Sequence, residues 1–187
     1  MSAAQHSVPY VLLAVLMGVE LYASRERRSD APRRLDPSLA IIIPLIGGGY
    51  WLAFALAQWG DAGPRLGAWA TWAGAAVFLA GAALRAWSVA TLGRYFTYAV
   101  QVSADQPVVQ DGPYRLVRHP SYAGALMMGA GLGLSLRHAW PPLAIVVTSL
   151  VAYVIRIRVE ERALADAIGE PYRAYMQRTK RLLPFVW

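Results

Sequence analysis

Cysteine is absent from the 187-residue chain. That excludes disulfides, thiolate metal ligands and a cysteine nucleophile. Histidine is scarce as well: His6, His119 and His138 share no ligand spacing, so no metal site is expected. Only 16% of residues are charged, against roughly 25% in soluble domains. Low-complexity and repeated segments are also missing. What remains is oily, with 57% hydrophobic residues, and such a composition points towards a membrane.

Five apolar tracts carry that oil, at 8–23, 38–59, 67–92, 121–136 and 139–159. At about 1.5 Å per residue, the second, third and fifth are long enough as helices to cross roughly 30 Å of hydrocarbon. The first and fourth are shorter and need interfacial flanks, local thinning or a partner helix. The first tract has no basic residue before its apolar core and no small-residue cleavage site after it, so it is expected to stay in the mature protein.

Basic residues test this division independently. Fifteen of the 18 Lys and Arg fall in the first connection, the third connection and the C-terminal segment from Arg156 onward. Under the positive-inside rule these three regions are cytoplasmic, which places the N-terminus outside and the C-terminus in the cytoplasm. The net charge of +7 then reflects attraction to anionic lipid, and no nucleic-acid partner is expected.

The front half looks like scaffold. The stretch 93–120, "GRYFTYAVQVSADQPVVQDGPYRLVRHP", is long for a bundle connection. It contains a possible strand pair, "TYAVQV" and "QPVVQ", before a turn at "DGPY". Gly124, Gly129, Gly131 and Gly133 thin the fourth tract, so another helix or a ligand can approach its backbone. Beyond 159 the chain turns amphipathic, with a break expected near Gly169 and Pro171.

Two clusters invite chemistry. Arg118 and His119 stand just before Pro120, which holds His119 extended and suits the first turn of a helix. The free N–H groups of that turn, Arg118, protonated His119 and a further guanidinium from Arg115 would favour an anionic group there. The alternative is ordinary interfacial anchoring to lipid phosphates. At "RIRVEE", Arg156 and Glu160 are spaced i,i+4 and Arg158 and Glu161 i,i+3, so local pairing is expected. One carboxylate would remain for a cationic or hydrogen-bonding ligand. Glu20 and Arg85 lie inside apolar tracts and could pair, although each is near enough to a tract end for snorkelling to be the expected outcome.

The ordered segments "GPYRLVRHPSYAG", "RIRVEERAL" and "GEPYRAYMQRTKRLLP" resemble the isoprenylcysteine carboxyl methyltransferase family and its phospholipid methyltransferase relatives. The resemblance covers roughly 92–184 and implies an all-α integral membrane enzyme in one unit, 1–187. Five transmembrane helices, a cytoplasmic catalytic loop and an amphipathic C-terminal tail at 160–187 would make it up, in a bacterial inner membrane. It implies methyl transfer from S-adenosylmethionine, with S-adenosylhomocysteine as product. Cofactor binding is assigned by the resemblance to Arg118, His119, Tyr122, Glu160 and Glu161, with Gly112, Tyr114 and Gly124 shaping the site and Tyr172 and Tyr175 closing it. Arg156 or Arg158 would orient a carboxylate acceptor, whereas a phenol would need a base such as Glu160. The acceptor implied is a hydrophobic small molecule or prenylated substrate; a phenolic lipid is the alternative within the class. An NADPH-dependent membrane reductase and a non-enzymatic membrane scaffold are the rival readings. Oligomeric state is left open.

Overall fold

Six α-helices make up the computed structural model, which describes residues 3–25, 38–59, 63–96 and 107–182. They are α1 (Ala3–Arg25), α2 (Leu39–Trp59), α3 (Trp69–Leu92), α4 (Pro120–Ser135), α5 (Trp140–Ile168) and α6 (Glu170–Arg178). Short 3-10 turns at Gly93–Tyr95 and Gly112–Arg115 follow α3 and precede α4. Prolines open three helices, at Pro120 of α4, Pro141 of α5 and Pro171 of α6, where the missing N–H costs nothing. Gly169, with φ of 76°, separates α5 from α6 in a backbone region that favours glycine.

α5 runs nine residues past the expected end at 159. Its charged continuation "EERALADAI" contains no breaker before Gly169, so polarity changes along the helix while helicity does not. Of the proposed strand pair, 97–102 and Gln106 lie outside the described residues, and 107–110 form no strand. Among the described residues β-pairing is limited to isolated bridges, Arg65 with His138 and Val117 with Lys180.

α3 and α4 pack through facing glycines seven residues apart on each helix. A Cβ on Gly74 would stand 2.5 Å from the Gly131 carbonyl oxygen, and one on Gly81 would stand 2.6 Å from that of Gly124. The two backbones therefore touch, as small residues permit between apolar helices. The other face of α4 meets α5, where Gly129 lies against Ile145 and Gly133 against Pro142. Leu12 of α1 closes on Phe78, Met128 and Leu132, burying a core shared by α1, α3 and α4. α2 packs on α5.

Three helical stretches are long and apolar enough to cross a membrane: Leu39–Trp59, Trp69–Tyr95 and Trp140–Ile168. Their outward faces carry large apolar side chains such as Trp51, Ile43 and Trp87. The apolar part of α1, Ser7–Leu21, is shorter, and the 16 residues of α4 reach about 24 Å.

Candidate active site

The approach to α4 is held by chain from the far end of the sequence. Arg118 N–H donates to the Lys180 carbonyl at 2.7 Å and His119 N–H to that of Arg181 at 2.9 Å. Residues 180–181 thus lie along 117–119 like one rung of a parallel ladder. Glu161 of α5 locks this junction. Its Oε1 accepts from Arg118 Nε at 2.8 Å and faces His119 Nε2 at 3.4 Å, while its Oε2 accepts from Arg181 Nε at 2.9 Å. Arg118 Nη1 also donates to the carbonyls of Met176 and Thr179. A carboxylate only 4% exposed is tolerable here because several donors replace its water.

Glu160 points the other way. It accepts from the Tyr122 hydroxyl at 2.9 Å. Tyr122 in turn stacks on His119 (ring centroids 5.7 Å apart) and on Tyr153 of α5 (4.9 Å). Buried Arg156 donates to Ser38 Oγ at the start of α2 at 2.8 Å. The expected local pair of Arg158 with Glu161 gives way to this long-range set. Arg118 and Arg181 reach Glu161 instead, and Arg158 is exposed.

One cavity of about 650 Å³ gathers these groups. Tyr114, Arg118, His119, Glu160, Tyr172 and Tyr175 line its polar end. Leu13, Leu16 and Met17 of α1 and Ile42, Ile43 and Ile46 of α2 supply its apolar lining. Alongside stand Tyr122, Tyr153, Arg156 and an ion pair that spans three helices. Arg85 of α3 meets Glu20 of α1 at 2.8 Å and donates to Ser121 Oγ of α4 at 2.9 Å. Both members line the cavity, so the pairing that the sequence allowed is the outcome and snorkelling is not. Sixty-five positions separate the partners in sequence, so no helical spacing signals them; two opposite charges inside separate apolar tracts were the available sign.

The tyrosines of the polar end are held in the protonated state. Burial pushes the Tyr175 phenol up to about 12, with the Arg118 guanidinium opposing. Burial together with Glu160 raises Tyr114, and burial together with Glu161 and Glu160 raises Tyr172. The Tyr175 hydroxyl donates to the Tyr114 carbonyl at 2.6 Å, which ties α6 to the turn before α4.

Eight of the expected site residues therefore share the cavity wall: Tyr114, Arg118, His119, Tyr122, Arg156, Glu160, Tyr172 and Tyr175. Four stand off it. Gly124 is pressed against Gly81 and Arg85, and Gly112 turns the chain, with φ of 53°, beside Trp87 and Thr91. Glu161 sits behind Arg118 and His119, and Arg158 lies on the exposed side of α5. Arg115 lines a separate, smaller cleft. Sequence reading missed Ser38, Tyr50, Ser121 and Tyr153, and named Glu20 and Arg85 without placing them in this site. Among the described residues no group of three His, Cys, Asp or Glu forms a metal-binding cluster.

Comparison with known proteins converges on the same region. The sequence profile of the isoprenylcysteine carboxyl methyltransferase family matches residues 74–166, a stretch that includes Arg85, His119 and both glutamates. Protein-S-isoprenylcysteine O-methyltransferase B of Arabidopsis thaliana is 31% identical over 120 residues, covering 63% of this chain and 61% of its own. Methanethiol S-methyltransferase of Pseudomonas deceptionensis is 36% identical over 72 residues, covering 38% of this chain and 26% of its own. The solved structure of a eukaryotic intramembrane Ras methyltransferase, an isoprenylcysteine carboxyl methyltransferase, superposes with a TM-score of 0.56 at 25% identity, covering 82% of this chain and 55% of that one. The chain spans about three fifths of the length of the isoprenylcysteine methyltransferases it matches.

Proposed function

We propose that this chain is an S-adenosylmethionine-dependent methyltransferase acting on a hydrophobic, lipid-like acceptor, a reading supported by the match of residues 74–166 to the isoprenylcysteine carboxyl methyltransferase family. The observation that carries the reading is the continuity of one cavity from a polar, tyrosine-rich end to an apolar slot between α1 and α2. Its volume, about 650 Å³, lies within the roughly 300–1,000 Å³ typical of small-molecule sites. Three helices of membrane-crossing length and the basic flanks support a membrane-embedded bundle; with the shorter α1 and α4 it has five proposed spans, the N-terminus outside, the C-terminus cytoplasmic, and the polar end at the cytoplasmic face.

The polar end has the donor set for a cofactor that carries a carboxylate, an ammonium and a purine. Glu160 supplies a carboxylate to a cationic group, and His119 and the remaining Nη2 of Arg118 supply donors to an anionic one. Tyr114, Tyr172 and Tyr175 offer protonated hydroxyls and apolar ring faces that exclude water. When bound, S-adenosylmethionine supplies the electrophilic methyl group. Tyr122 and Tyr153 stand at the junction with the apolar slot, where a π-face is favourable to positive charge. Arg156, held by Ser38, orients a carboxylate acceptor at that junction, and the slot aligns its tail.

Isotope-labelled methyl transfer from S-adenosylmethionine into prenylated cysteines, phenolic lipids and extracted membrane lipids tests the reading. Label is expected in a lipid-extractable product. A folded protein that neither labels any lipid nor gains thermal stability from S-adenosylhomocysteine would overturn it.

A further inference from the structure

Behind the wall formed by Tyr175 lies a second cleft of about 260 Å³, lined by Gln110, Arg115, Tyr175, Arg178 and Thr179. Among the described residues no carboxylate lines it. Among the described residues Arg115 has no hydrogen bond or ion pair, and Arg178 meets only neutral oxygens, the Ala174 carbonyl at 3.3 Å and Gln110 Oε1 at 3.4 Å. Two guanidiniums facing one recess without an acid between them repel each other until an anion intervenes. Planar forks of this kind match the oxygens of a phosphate group.

The surroundings choose between a soluble phosphate and a lipid. Leu116 follows Arg115 directly and leaves 61% of its surface exposed. Pro120, four residues further on, opens α4. A cleft with a cationic rim beside an exposed leucine, where the chain enters the bundle, fits a headgroup whose acyl chains continue past it. We propose that this cleft binds the phosphate of an anionic phospholipid. Tyr175 is a wall of both the cleft and the large cavity, and its hydroxyl is bonded to Tyr114. A headgroup on Arg115 and Arg178 therefore bridges the turn before α4 to α6 and braces that wall from outside. This site is separate from the methyl-transfer reading and is tested without turnover.

The full chain is placed in phosphatidylcholine nanodiscs with or without phosphatidylglycerol, and read by melting temperature and by the lipid retained in native mass spectrometry. Phosphatidylglycerol is expected to raise the melting temperature of the wild type and to be retained several-fold over phosphatidylcholine. Arg115→Gln combined with Arg178→Gln is expected to lose both effects while melting like the wild type in phosphatidylcholine alone. Gln110→Glu, which puts an acid into the recess, is expected to lose them too. A control pair on exposed arginines elsewhere, Arg158→Gln with Arg173→Gln, is expected to keep them. The proposal fails if the phosphatidylglycerol effect survives the Arg115 and Arg178 changes, or if the control pair abolishes it equally. It also fails if inorganic phosphate in phosphatidylcholine discs reproduces the shift.

Discussion

Glu160 and Glu161 are neighbours in the chain, but a helix turns successive side chains by about 100°, so they face different surroundings. Glu160 reaches Tyr122 and the cavity, while Glu161 reaches Arg118, His119 and Arg181 behind it. Removing the Glu161 charge leaves two guanidiniums facing each other with no acid between them. Glu161→Gln is accordingly expected to cost about 3 kcal/mol of stability, whereas Glu160→Gln is expected to fold and to lose cofactor affinity. Thermal melting and S-adenosylhomocysteine titration in detergent separate the two. The arginines two residues apart on α5 divide in the same way. Arg156→Gln is expected to depress turnover of a carboxylate acceptor, and Arg158→Gln to leave it unchanged, as measured by labelled methyl transfer.

The buried phenols add a pH dependence. Tyr175 holds its proton to about 12 in the folded state, against about 10 in an unfolded chain. Its contribution to stability is therefore complete below pH about 10 and is lost as pH rises from there through about 12. Tyr114 and Tyr172, also raised, act in the same direction. Melting temperature is expected to fall across that window, with the phenolate absorbance of these residues appearing only as the protein unfolds.

For the elements, the glycine seam is where α3 and α4 are least tolerant. Gly131→Ala sets a methyl group against the Gly74 carbonyl and the Phe78 backbone, neither of which is a flexible side-chain end. A loss of about 1–3 kcal/mol is expected. Gly18, with nothing within 4 Å of an added Cβ, is the matched control. Melting of the two variants in detergent decides. Most of the helices were legible because apolar runs and breakers are local signals: 38–59 was expected where Leu39–Trp59 is found, and 121–136 where Pro120–Ser135 is found. The end of α5 was misplaced because a change from apolar to charged composition was read as a helix boundary, when only Gly169 breaks the helix. The site was half legible for a related reason. "RHPSY" and "EE" are contiguous signals, whereas Glu20 with Arg85, and Arg181 with Glu161, exist as pairs only after the helices have packed.

Across the whole molecule, the proposed reaction would make acceptor length a matter of the apolar lining that α1 and α2 supply. Ile46→Trp is expected to fill the apolar end and to slow methyl transfer to long-tailed acceptors more than to short ones. S-adenosylhomocysteine affinity should stay unchanged, since the polar end lies elsewhere. Competition between acceptors of graded tail length, assayed together in one membrane preparation, measures the shift.

The rung between 117–119 and 180–181 also sets an order of events during synthesis. Arg118 waits for the carbonyl of Thr179, 61 residues later in the chain. Five helices can therefore be made before the polar end of the cavity has its last supports. A nascent chain halted at the end of α5 would hold every cavity-lining group of α1 to α5 yet leave Arg118 and His119 with Glu161 alone, without the carbonyls of Met176, Thr179, Lys180 and Arg181. The ribosome thus delivers the bundle first and its competence last.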